Sequence, residues 1–388
     1  MPITPVEPVL IAGAGLSGSV IARELAEAGL NVRIFEARNH IAGNCHTARD
    51  PETGVMVHHY GPHIFHTGNG AVWSYVNRFA KMQPYRHSVR TTVGGRTYSL
   101  PVNLTTINQF FGTNLTPKEA EAFVKARADQ SIRDPESFED QALAMMGPEL
   151  YKAFFKGYTQ KQWGCDPRQL PTSILKRLPL RFTADDSYFN HPHQGLPDGG
   201  YTAMVAAILD HPGITVHLNT PLDPANPPGR GHLIWSGPLD AYFGHRLGRL
   251  GYRTLKFEHH RTWGDFQGIP VMNYGDADVP QTRITEHKHF TPWECHARTI
   301  YTCETSHAAG AGDIPYYPIR LVEEKALLAG YVAKAGAETG VTFVGRLGTY
   351  RYLDMDVCIA EAFDVAAAIL AAHKGGTAPP AFVHPPLG

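Results

Sequence analysis

The sequence predicts an α/β fold: a discontinuous Rossmann-like domain carrying a helical-bundle insertion and an antiparallel β-sheet insertion. Three observations carry that reading. An apolar run, Val9-Leu-Ile-Ala, leads straight into Gly13, Gly15 and Gly18. A second apolar strand at 31–35 ends in Glu36. A further αβ pattern closes the chain over 342–373, far from the first in sequence.

The G-x-G-x-x-G spacing has a mechanical meaning. Gly13 permits a tight turn, Gly15 lets a diphosphate approach the backbone, and Gly18 lets the next helix, at 17–28, pack on the strand. That helix points its first N–H groups and positive dipole end at an anion. Glu36 lies about 20 residues past the glycines, where a ribose-binding carboxylate belongs. A dinucleotide is expected here.

The middle of the chain has two textures. Runs at 89–93 and 96–100 flank Gly94-Gly95, a hairpin signal. Helices are expected at 117–128, after Thr116 as N-cap, and at 138–146 and 149–161. Residues 245–310 are rich in Tyr, Thr, Val and Phe and read as antiparallel strands. The C-terminal helix is expected at 357–373, and the Pro-rich tail 378–388 reads as poorly ordered. The expected domains are 1–82 with 194–240 and 314–388 (dinucleotide), 102–190 (helical, with a mobile loop at about 167–182), and 83–101 with 241–313 (sheet).

Composition narrows the class. The 388 residues carry 35 basic and 36 acidic side chains, a net charge of −1, so no broad field recruits nucleic acid or an anionic membrane. Any phosphate recognition must come from a few placed arginines. Five scattered cysteines without a C-x-x-C pair suit reduced thiols rather than disulfides or zinc. With no span-length apolar run and no basic leader, a cytoplasmic protein is expected.

Several polar and aromatic residues stand out. Tyr158 and Trp163 end a helix beside polar neighbours and suit stacking on a base or sugar, although either ring taken alone also suits a core. Prolines 167, 171 and 179 bracket a loop presenting Lys176, Arg177 and Arg181, whose guanidinium groups suit a phosphate or a merely solvated surface. Alternation along 281–290 puts Arg283, Thr285 and His287 on one strand face. His58-His-Tyr-Gly-Pro-His-Ile-Phe-His invites a metal, but Gly61 and Pro62 break any helix that would align its histidines. No paired cysteine or carboxylate completes a site. The expected metal complement is none, and the stretch reads as a tight loop near the cofactor. A helix opening near Asp354 to Asp356 after Gly345 and Arg346 gives a second anion-binding helix start, which suits a long flavin dinucleotide.

Gly13-Ala-Gly-Leu-Ser-Gly with Glu36, Tyr60-Gly-Pro-His-Ile-Phe-His-Thr, Phe154-Phe-Lys-Gly-Tyr-Thr, Lys161-Gln-Trp-Gly, Ile174-Leu-Lys-Arg-Leu-Pro, Thr282-Arg-Ile-Thr-Glu-His-Lys, Ile314-Pro-Tyr-Tyr-Pro-Ile and Gly345-Arg-Leu-Gly-Thr-Tyr-Arg-Tyr-Leu-Asp-Met-Asp together resemble bacterial UDP-galactopyranose mutases. The likeness runs from about residue 8 to residue 370, with Ala42 standing where a second glycine is expected.

The resemblance implies an isomerase that interconverts UDP-galactopyranose and UDP-galactofuranose on reduced FAD, through a flavin N5–galactose adduct and without net redox change. It further implies NAD(P)H as reductant, a cytoplasmic homodimer and a role in cell-surface polysaccharide synthesis. Carried over by motif, Arg177, Arg283 and His66 would be catalytic, the two arginines on the phosphates and His66 by the isoalloxazine. Phe154, Tyr158, Thr159, Trp163, Tyr188, Phe189, Tyr317, Tyr352 and Asp354 would bind substrate. Gly13, Gly15, Leu16, Ser17, Gly18, Glu36, Ala37, Arg38, Gly43, Asn44, Tyr60, Gly61, His63, Ile64, Gly345, Arg346, Asp354 and Met355 would bind FAD. An FAD-dependent amine or alcohol oxidase, or an inactive nucleotide-binding relative, would share the Gly13–Glu36 fingerprint.

Overall fold

A computed structural model describes residues 7–177, 180–321 and 324–387; the side chains of Ser173, Lys176 and Arg177 lie outside the described set. Strand β1 (Val9–Ala12), helix α1 (Leu16–Glu27) and strand β2 (Val32–Phe35) form the expected βαβ unit. β1 is short, apolar and wholly buried, and β2 is buried except at the half-buried Arg33, as parallel strands covered by helices tend to be. Strands Ile214–His217, Leu233–Trp235 and Val341–Phe343 complete a five-stranded sheet in which every pairing is parallel. Its members come from both ends and the middle of the chain, so the domain is discontinuous. Helix Met355–Gly375 packs on α1, and the apolar residues between them form the main core.

The second sheet has seven strands. Strands Val89–Val93 and Arg96–Leu100 form the predicted hairpin, and Tyr252–Trp263 pairs with Arg298–Ala308 along an eleven-residue ladder. All pairings are antiparallel save one: Val271–Tyr274 runs parallel to Val89–Val93, which joins the hairpin to the later strands. The sheet is thus mixed where the sequence suggested a purely antiparallel one, because the hairpin pairs with a segment distant in the chain.

Thr116 precedes helix Pro117–Lys125 as its N-cap, as expected, and Glu119 completes a capping box with it; the helix ends three residues short of the expected 128. The expected helix at 149–161 is instead a π-helical turn, Tyr151–Lys156, running into helix Gly157–Trp163. Gly157 is required there, since a Cβ would lie 2.2 Å from the Gly275 carbonyl oxygen. Residues Pro167–Gln169 and Thr172–Arg177 form short 3₁₀ turns, in keeping with the bracketing prolines.

Two local expectations fail. The tail is ordered against the Rossmann-like sheet: Phe343 N–H donates to Ala381 C=O, Thr342 Oγ1 to Pro380 C=O, and Phe382 stacks 5.3 Å from Phe343. Proline richness suggested disorder, but this segment uses its carbonyls and one aromatic ring and needs few N–H groups of its own. His287, assigned to the strand face of Arg283, instead starts a 3₁₀ turn, with Nε2 2.7 Å from Thr302 Oγ1.

Asp50 and Glu286 tie loops to the second sheet, and a third carboxylate, Glu294, ties its loop to strand Thr47–Arg49. Arg261 holds Asp50 down at about 2, and Arg49 does the same for Glu294. Burial would raise Glu286, yet His289 and the backbone N–H groups of Gln267 and Phe266 overcome it and bring the group to about 2. All three native values lie below the unfolded ones near 4, so their stabilisation is complete above about pH 5 and fades as pH falls toward 2. Urea midpoints measured from pH 6 to pH 2 should therefore show roughly 3–5 kcal/mol lost on the acid side. Equal midpoints at pH 5 and pH 2.5 would contradict this.

Candidate active site

The sequence-predicted residues collect into two adjoining places. The first is the N-terminus of α1. Gly13 has φ +101°, and a Cβ there would lie 2.4 Å from Ser236 Oγ; a Cβ on Gly18 would lie 2.2 Å from the Gly13 carbonyl oxygen. Gly15 and Gly43 face each other backbone to backbone, with a Cβ on Gly43 only 3.1 Å from Gly15 Cα. Ala42 holds the left-handed conformation at φ +73°, which a glycine would adopt with less strain. No side chain caps α1, so its leading N–H groups, at Leu16, Ser17 and Gly18, are presented to an anion.

Glu36 is buried and accepts from Ala14 N–H at 2.8 Å and Arg38 N–H at 2.9 Å, one bond on each oxygen. Arg38 donates to Asn44 Oδ1 and lies over the Tyr60 ring at 4.7 Å. Its Nη1 is buried with no hydrogen-bond partner among the described residues. A buried guanidinium nitrogen left unsatisfied is costly, and a phosphate or ribose oxygen would satisfy it. Together with the bare helix start, this fits a dinucleotide. Ala37 sits exposed in the turn beyond Glu36, and Ser17 stands against Gly345.

The second place is a cavity of about 490 Å³ between the two sheets and the helical insertion. Tyr60, Gly61, His63, Ile64, His66, Tyr158, Trp163, Tyr188, Phe189, Arg283, Tyr317, Arg346, Tyr352, Asp354 and Met355 all line it. Phe154 and Thr159 line a smaller side pocket of about 50 Å³, which shares Tyr158, Tyr188 and Asn273 with the cavity. Arg177 is the exception, since its side chain lies outside the described residues.

Arg283 is the strongest electrostatic feature. It reaches Glu304 with both arms, Nε–Oε2 at 2.9 Å and Nη2–Oε1 at 2.8 Å. Burial disfavours its charge, but Glu304 outweighs burial and keeps the guanidinium protonated beyond its ordinary range. Arg346 lies 4.7 Å over the Tyr352 ring and 5.8 Å from that of Tyr317, and donates to Leu353 C=O. Burial pushes the Tyr317 phenol up to about 12 and raises that of Tyr158, so both remain hydrogen-bond donors at neutral pH. The cavity can therefore receive an oxyanion among guanidinium and phenol donors and a flat ring in its side pocket.

Several contributors are illegible in the sequence. Glu304 is found only by the register that sets it opposite Arg283. Lys161 donates to four backbone carbonyls, those of Tyr274, Asp276, Val279 and Gln281, at 2.8–3.1 Å. It thereby fastens the helix carrying Tyr158 and Trp163 to the strand segment leading into Arg283. His87 and Asn273 also line the cavity, each with a buried side-chain atom lacking a partner among the described residues. Burial lowers His87 to about 3, so its ring is neutral.

Among the described residues, Asp265, Glu286 and His289 form the one cluster of metal-ligand type. Lys288 stands 2.7 Å from Asp265, and backbone N–H groups already occupy Glu286. No helix among the described residues is long and apolar enough to cross a membrane.

Fold and site define a dinucleotide-binding protein with a cationic, aromatic-walled ligand cleft. Sequence comparison sharpens this: residues 153–352 match the UDP-galactopyranose mutase family profile, and residues 11–79 match an NAD(P)-binding Rossmann-like domain. The chain belongs to the UDP-galactopyranose mutase family. It is 55% identical over 377 residues to a probable UDP-galactopyranose mutase of Klebsiella pneumoniae, covering 97% of this chain and 98% of the relative. It is 49% identical over 365 residues to the dTDP-fucopyranose mutase of Escherichia coli, covering 92% and 97%. Among solved structures, that of a reduced UDP-galactopyranose mutase superposes with a TM-score of 0.71 at 14% identity, covering 94% of this chain and 96% of the other; that likeness speaks to fold alone.

Gly15→Val tests the first place. The added branches would stand between the facing Gly15 and Gly43 backbones, so the variant should fold, by circular dichroism, yet retain less than a tenth of the bound dinucleotide seen in absorbance. Full retention would contradict the assigned path.

Proposed function

We propose that this chain interconverts UDP-galactopyranose and UDP-galactofuranose with bound, reduced FAD. The observation that carries this reading is the convergence of the aromatic, tyrosine and arginine motifs on one cavity around the Glu304-braced Arg283. When bound and reduced, the flavin would supply an electron-rich N5 to the anomeric carbon, with no net redox change over the cycle.

The chain's own residues do the rest. Tyr158 and Phe154 frame the side pocket and would hold the nucleobase by stacking, with Thr159 at its wall. Arg283 would bind the diphosphate from a rigid strand and Arg177 from the 167–182 segment. Tyr188, Tyr317 and Tyr352 would donate to the phosphate oxygens, and Trp163 would border the sugar. As the C1–O bond breaks, negative charge develops on the departing UDP, where guanidinium and phenol donors already stand. Gly345, Arg346, Asp354 and Met355, with the 60–66 loop, would form the flavin side. Cys45 and Cys358 are pushed by burial to about 12 and 11, so neither thiol serves as nucleophile.

The Escherichia coli relative favours a second reading, a dTDP-fucopyranose substrate. We infer NAD(P)H as reductant and a cytoplasmic homodimer from the family resemblance.

Purified protein should be yellow, and it should convert UDP-galactopyranose only after reduction by dithionite, without stoichiometric use of an electron acceptor. An oxidase would consume acceptor, and preferential turnover of dTDP-fucopyranose would move the substrate assignment. Arg283→Ala should lose about 1.5–3 kcal/mol in kcat/KM with UDP-galactofuranose. Near-normal turnover would refute its phosphate role.

A further inference from the structure

His66 does not stand alone in the cavity wall. It lies on strand Phe65–Thr67, opposite Gln194 of the antiparallel strand His193–Pro197. Its Nδ1 is 2.7 Å from Nδ1 of His191, and the two rings meet edge to edge, with centroids 4.9 Å apart and planes 29° apart. Phe189 covers the His66 ring at 3.7 Å. His66 lines the cavity, whereas His191 is exposed. The pair therefore bridges the cavity and the solvent.

Two imidazole nitrogens at this distance share a single hydrogen, since two N–H groups would repel and two lone pairs would not bond. When His191 donates it, neutral His66 carries its own proton on Nε2 and can give it. When His66 donates it, the same Nε2 is a lone pair and can take one. Moving one hydrogen between the Nδ1 atoms thus reverses the role of His66 Nε2.

We propose that His191 is a positioning residue that relays protons between His66 and solvent during ring contraction and expansion. The inference rests on the proposed mutase function, because conversion of a pyranose to a furanose strips the proton from the C4 hydroxyl and places one on the C5 oxygen. In the outward direction, His66 Nε2 takes the C4 hydroxyl proton. The His66 Nδ1 proton passes to His191 Nδ1, and His191 Nε2 releases its proton to water. The reverse sequence delivers a proton to the C5 oxygen. Only N–H and O–H bonds form and break, and the count of protons closes over one turnover. His63 and His87 share the cavity with the pair, as do the Arg283 and Arg346 guanidinium groups.

The test uses holoenzyme with bound cofactor and three variants. His191→Phe and His191→Ala should lower kcat about tenfold or more with KM unchanged, and added imidazole should restore part of kcat in His191→Ala alone. His191→Gln, which keeps a hydrogen-bonding group but cannot relay, should remain slow. Wild-type kcat in the Phe and Ala variants, or a loss that imidazole leaves untouched, overturns the relay. Imidazole ¹⁵N spectra provide a readout independent of turnover: wild type should show His66 and His191 sharing one exchanging proton, and His191→Phe should change the His66 tautomer. If wild type fails to turn over the sugar nucleotide, the functional reading falls. The spectra then decide the pair by themselves, and two independently titrating rings would refute it.

Discussion

A guanidinium set into a cavity wall is costly to keep charged, and the pairing of Arg283 with Glu304 is the interaction around which the site is arranged. Both arms of the carboxylate are used, so the cation stays charged despite desolvation. The pairing also fixes orientation, because Arg283 and Glu304 face each other across neighbouring antiparallel strands. An anion approaching from the cavity would meet a charge already held in position.

That rigidity spreads through a second cation. Lys161, held by four carbonyls, binds the aromatic helix to the segment entering Arg283, so the side pocket and the cationic centre are fastened to each other. The helix reaches this position through a π-helical turn and the missing Cβ of Gly157. On the other side, Arg38 over Tyr60 and Cys45 Sγ 3.5 Å from Met355 Sδ connect the dinucleotide end to the cavity floor. On the proposed function, ligand and cofactor would meet at the 60–66 loop.

Local chemistry was legible in the sequence and partnership was not. Gly13, Gly15, Gly18 and Glu36 announce their place because a turn, a close approach and a carboxylate at fixed spacing have few other uses. The Gly94-Gly95 hairpin and the Thr116 cap are likewise decided within a few residues. Arg283 reads from its strand equally as a phosphate ligand or as an ordinary sheet-surface arginine, since Glu304 is brought to it only by strand register. Lys161, His87, Asn273 and His191 escape for the same reason: each acquires its role from residues tens of positions away. The tail misleads in the opposite sense, because composition argues for disorder while Phe382 and a few carbonyls find an unfilled sheet edge. Family resemblance recovers many of the cavity residues, yet only the fold separates those around α1 from those in the cleft.

On the proposed function, the cationic cleft cleaves and remakes the bond between the anomeric carbon and UDP. Isotope scrambling reads this directly, with UDP-galactopyranose carrying ¹⁸O in the bridge between C1 and the β-phosphorus. Reduced protein should move label into non-bridging β-phosphate positions at a rate at least matching furanose formation, and oxidised protein should not. Furanose appearing while all label stays in the bridge would contradict the account.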